Sequence, residues 1–140
     1  MTPESAGKIH PRELELAKEL KKHEIEWNVL TGDWFHAADD KLHFVMRVEQ
    51  QDGKTILYGV GGNPYDKAEC VFMPHASQCR EWLMDHDWDL KEENLPDGRH
   101  KVIANRRHTD FHVERAEPTE MAALYAVMGE VLDLVHFGWV

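Results

Sequence analysis

Both cysteines of the chain fall in one short stretch, "CVFMPHASQC", where Cys70, His75 and Cys79 offer three side chains of the kind that bind zinc. A structural zinc site takes four ligands, and these spacings match no common ribbon or finger, so a fourth would have to come from a distant residue such as His86 or His100. Cys79 is followed by Trp82, Leu83 and His86 at helical spacing, which sets it on an apolar stripe where cysteine ordinarily packs. A nucleophilic Cys79, near a helix start with His75 one turn earlier, has no accompanying signature. Packing is the expected role.

A second constellation is "HTDFHVE", in which His108, Asp110, His112 and Glu114 alternate with Phe111 and Val113. On a strand the four polar side chains would share one face. Neighbours two apart are about 7 Å from each other, so a metal could take one adjacent pair and a ligand from the next strand, such as His100. A metal-dependent enzyme using His108, Asp110 and His112 with His100 is therefore the alternative function. The plainer reading is the solvated face of an antiparallel strand.

Weaker candidates follow. In "GDWFHAADDK" the pair Trp34 and Phe35 stands beside His36, Asp39 and Asp40, the makings of a ligand or cation rim, or of a turn anchored by an aromatic residue. "GVGGNP" lacks the Lys-Ser/Thr of a phosphate loop and reads as a connector. The two serines, Ser5 and Ser77, lie in no nucleophile elbow.

The elements that would position these residues are legible as patterns. Residues 1–10 are polar, carry Pro3 and Gly7, and read as a flexible tail; residues 11–140 are expected to form a single domain. "PRELELAKELKKHE" places Leu16, Ala17 and Leu20 on one helical face with Pro11 in the first turn. Ile25, Trp27 and Val29 alternate, as do Leu42, Phe44, Met46 and Val48, and Asp52-Gly53 before "TILYGV" predicts a two-residue hairpin. After the loop "GGNPYDKAE", a helix is expected over "HASQCREWLMDH", then strands near "DWDLKEE", "HKVIAN" and "DFHVER", with a turn at Pro96-Asp97-Gly98. A last helix opens at Pro118-Thr119 with a stripe from Met121 to Val135. The order α-β-β-β-α-β-β-β-α predicts an α+β fold, an antiparallel sheet with packed helices.

The second half, "CREWLMDHDWDL", a hairpin and "FHVERAEPTEMAALYAVMGEVLDLV", resembles phage ABA-sandwich domains, small phage and prophage proteins of unassigned activity. The likeness covers about half the chain, leaves "TGDWF" and the rest of the first half unexplained, and implies a fold and a phage setting without catalytic residues.

Sixteen Lys and Arg against 26 Asp and Glu give a formal charge of −10, which disfavours direct binding to nucleic acid and suits a basic partner or an acidic mimic of DNA. The opening residues lack the apolar core of a signal peptide and no stretch is long enough to span a membrane, so a cytoplasmic protein with reduced thiols is expected, with no membrane contact. On the last helix Val127 and Leu134 widen the apolar stripe, and the chain closes with Phe137, Trp139 and Val140. That surplus predicts an interaction module acting by binding rather than catalysis, without a cofactor, whose partner is another protein or a second copy in a homodimer. Its contact residues would be Val127, Leu134, Phe137 and Trp139, with Trp34 and Phe35 as a further rim. Trp139 folded back as a plug is the competing reading.

Overall fold

The computed structural model describes residues 9–138; most of the expected tail, and Trp139 with Val140, lie outside the described residues. The chain gathers into two compact units, one formed by Ile25–Pro74 and the other by Pro11–Glu24 together with the chain from His75 onward.

The first unit is built of very short strands. β1 (Trp34–His36), β2 (Leu42–Phe44) and β6 (Val71–Phe72) make one antiparallel sheet in the order β2-β1-β6. β3 (Arg47–Gln51), β4 (Lys54–Tyr58) and β5 (Pro64–Asp66) make another. The Asp52-Gly53 hairpin forms as expected: both residues take positive φ, 50° and 78°, and Gln51 pairs with Lys54 across the turn.

Two expectations are revised here. Ile25, Trp27 and Val29 alternate but pair with no strand, because a local bond network replaces the ladder. The Trp27 indole donates to Asp33 Oδ2 at 3.0 Å, and the Leu30 amide donates to the same oxygen at 2.8 Å. The run "KLHFVMRVEQ" is not one strand but two that serve different sheets. The Val45 amide donates to the Asp33 carbonyl, continuing β2 on β1, while the Met46 amide donates to the Tyr58 carbonyl, beginning the β3–β4 ladder. The core of this unit is Trp27, Phe35, Ala37, Val45, Leu57 and Cys70, and the Trp27 ring stacks on Phe72 at 4.7 Å.

The second unit has long elements. β7 (Trp88–Asn94), β8 (His100–Arg106) and β9 (His112–Glu117) form an antiparallel sheet in sequence order, turning at Gly98 with φ 89°. α1 (Pro11–Lys22), α2 (Ala76–Asp85) and α3 (Glu120–His136) complete the unit, and α3 packs on α1, α2, β8 and β9. Being surrounded, α3 buries every residue from Ala122 to Met128, the pattern of a core helix rather than of a one-faced surface helix. Thr119 caps it: its hydroxyl accepts from the Ala122 amide at 3.1 Å and donates to Glu13 at 2.7 Å. The fold is α+β, with antiparallel sheets and packed helices. Among the described residues no helix is long and apolar enough to cross a membrane.

Candidate functional site

The residues that best combine exposure, chemistry and concavity lie on the C-terminal half of α3, beside α1. These helices run in the same direction. Their N-terminal ends meet at Glu13 and Thr119, and their C-terminal ends at His23 and Asp133, whose Nε2 and Oδ1 are 3.2 Å apart. Between them is a groove of about 140 Å³ lined by Leu16, Glu19 and His23 from α1, by Tyr125, Ala126, Gly129, Glu130 and Asp133 from α3, and by Arg115 from β9. Gly129 opens the groove, since a Cβ there would meet nothing within 4 Å.

A chain of ion pairs beside the groove reaches into it through Arg115 and Glu130. The Arg12 guanidinium grips Glu117, with Nε 3.1 and 3.2 Å and Nη2 2.7 Å from its oxygens. Those bonds hold Glu117 below the usual carboxylate range against the opposing effect of burial, with Arg115 helping. Arg115 in turn reaches Glu117 at 3.0 Å and Glu130 at 2.9 Å, so it is restrained on both sides.

The stripe of α3 that carries Ala126, Gly129, Glu130 and Asp133 continues, at helical spacing, to Phe137. The Phe137 amide still donates to the Asp133 carbonyl at 3.0 Å, and its side chain is 71% exposed. Val135 is exposed as well, and Leu134 is half-buried. Val127 is a correction: expected on the contact surface, it is 0% exposed because α3 has neighbours on several sides.

Phe35 is also corrected. It is wholly buried in the first unit, its ring 5.4 Å from His43 and 5.6 Å from Tyr65, and cannot form a rim. Trp34 is half-buried and meets Phe44 edge-on. The acids of that loop bind the hairpin together. His36 Nε2 lies 2.8 Å from Asp40, while Asp39 takes contacts from His43 at 2.9 Å and the Tyr65 hydroxyl at 3.1 Å. Burial pushes the Asp39 carboxyl up, but the hydrogen bonds from His43 and Tyr65 prevail and hold it below its ordinary value.

The metal alternative does not assemble. His108 and Asp110 sit in the β8–β9 turn, His108 with φ 62°, and only His112 begins a strand. His112 pairs with Asn105, whereas His100 pairs with Glu117 at the other end of β8, about 17 Å away at strand spacing. His100 is engaged there, 2.9 Å from Asn94 and 2.9 Å from Glu92. Among the described residues no group of three His, Cys, Asp or Glu is arranged to hold a metal ion.

No family model, curated protein or solved structure matches this chain.

The opening motif resolves into packing. Cys70 is buried in the first unit, its thiol donating to the Asp66 carbonyl at 3.3 Å. Cys79 is buried in the second, where desolvation pushes its thiol far up, away from thiolate chemistry. The groove residues Glu19, His23, Arg115 and Glu130 escaped sequence reasoning. Gly129 inside a helical pattern was the one available sign of an opening, since glycine weakens a helix interior.

Proposed function

We propose that this chain is a small binding module that docks a basic, partly apolar segment of another protein on the C-terminal half of α3, acting by contact rather than turnover. The observation that carries the reading is Phe137, a large apolar side chain 71% exposed on the same helical stripe as Glu130 and Asp133. An exposed aromatic residue beside carboxylates matches a segment that presents apolar and cationic side chains together.

Charge chooses among partners. A second copy would bring another −10 to the contact, so self-association is opposed at ordinary salt. Polyphosphates are opposed for the same reason, and much of the positive charge is already committed within the chain: Arg12, Arg80, Arg99, Lys101, Arg107 and Arg115 all sit in ion pairs. A cytoplasmic location and a phage or prophage setting belong to the same proposal. In support of the phage setting, the second unit carries a helix, a strand with Trp88 and Leu90, a hairpin and an alanine-rich final helix in the order on which the ABA-sandwich likeness rests.

The test uses a synthetic amphipathic peptide of lysine and leucine, followed by fluorescence anisotropy. Binding should weaken as salt is raised, and Phe137→Glu should weaken it further. That substitution adds negative charge, so attraction by charge alone would strengthen binding; an unchanged or tighter complex would refute Phe137 as a docking contact.

A further inference from the structure

The groove beside Gly129 has the size and lining of a receptor for one side chain. Its volume, about 140 Å³, is close to the ~150 Å³ of a cavity that admits a benzene-sized guest, and well short of the ~300 Å³ at which small-molecule sites begin. The apolar part of the lining comes from Leu16, Tyr125, Ala126 and the bare backbone of Gly129. Acids stand on both walls, Glu19 on α1 and Asp133 on α3. The cation within the lining, Arg115, is held by Glu130 and Glu117. Lys22 reaches Glu19 at 3.3 Å and His23 reaches Asp133 at 3.2 Å, contacts between part-exposed groups that a better-placed cation displaces at small loss.

We propose that this groove receives one lysine side chain of the partner, an inference that rests on the docking reading above. The four methylenes lie along Leu16, Ala126 and Gly129, and the ammonium sits between Glu19 and Asp133, the division of apolar stem and charged head that lysine adopts at amphipathic surfaces. Lysine fits better than arginine. A compact ammonium directs three donors to acceptors on separate walls, whereas a planar guanidinium is matched by both oxygens of one carboxylate, and Glu130 is already taken by Arg115. The groove and Phe137 then read two features of one segment, a lysine and an apolar residue.

The experiment is an amide NMR titration with N-acetyl-lysine methylamide, using N-acetyl-norleucine methylamide as the uncharged comparator. The lysine compound should move the amide signals of Ala126, Gly129 and Asp133, with the norleucine compound weaker by about tenfold, the loss of one hydrogen bond to a charged group. Gly129→Leu, which fills the open space, should abolish the response, and Asp133→Asn, on the surface, should weaken it without touching the fold. Equal responses to the two compounds, or an unchanged response in both variants, would overturn the pocket. The peptide experiment separates this from the parent reading. If Phe137→Glu weakens the lysine–leucine peptide and Gly129→Leu does not, the surface stands and the lysine pocket falls. If only Gly129→Leu weakens it, the pocket stands and the role of Phe137 falls.

Discussion

The two units of this chain reach stability by different routes. The first has strands of two to five residues and leans on side-chain bonds, with Asp33 tying its near neighbours Trp27 and Leu30, and Asp39 tying His43 and, 26 positions on, Tyr65. The second has a core helix and long-range ion pairs, Arg12 to Glu117 joining residues more than 100 positions apart. Short strands cannot bury enough apolar surface on their own, so side-chain hydrogen bonds help to fix them; a surrounded helix has packing on several sides. The concave, charged surface belongs to the second kind of region, where rigid helices hold its walls.

The largest effect should come from Trp88→Ala in the second unit, where the ring is almost wholly buried. A loss of about 3–5 kcal/mol is expected in urea unfolding. Hydrogen exchange at Val102 should quicken more than at Leu57; equal changes in both would break the comparison, by showing that the two units unfold as one.

Asp33→Ala should act on the first unit, by about 1–3 kcal/mol, since it strands the buried Trp27 indole donor and the Leu30 amide. Retained stability, with Trp27 fluorescence unchanged, would mean that packing against Phe72 suffices and that the local bonds are incidental.

The smallest effect sharpens the electrostatic side. Glu117 has its folded pKa below the unfolded value, so its ion pair stabilises the second unit above about pH 4.3 and that stability is lost as pH falls through the folded value. Glu117→Gln should flatten the pH dependence of second-unit exchange below about pH 4.3 and leave first-unit exchange unaltered. An unaltered slope in the second unit would place acid sensitivity elsewhere.

What the sequence revealed divides along the same line. The second unit was legible, since a helix of seventeen residues and strands of six or seven leave clear periodicities. In the first unit β1, β5 and β6 are too short for alternation to register, and Trp34 and Phe35 looked like a loop because β1 has only three residues. Alternation across residues 41–50 was real but silent about the change of sheet at Val45 and Met46, because burial does not say which ladder a strand joins. On the site, the apolar chain ending pointed to Phe137, while Val127 was misplaced because one helix read alone cannot show how many neighbours it will have. The lysine groove was out of reach, since its walls come from segments about a hundred residues apart.

That separation carries a consequence for synthesis on the ribosome. α1 leaves the exit tunnel about 100 residues before α3, the helix against which Leu16, Ala17 and Leu20 pack. At ~5–20 residues per second the nascent α1 waits roughly 5–20 s with its apolar face uncovered, while the whole of the first unit is made and can fold. During translation the apolar face of α1 is therefore open to chaperone capture until α3 emerges to cover it.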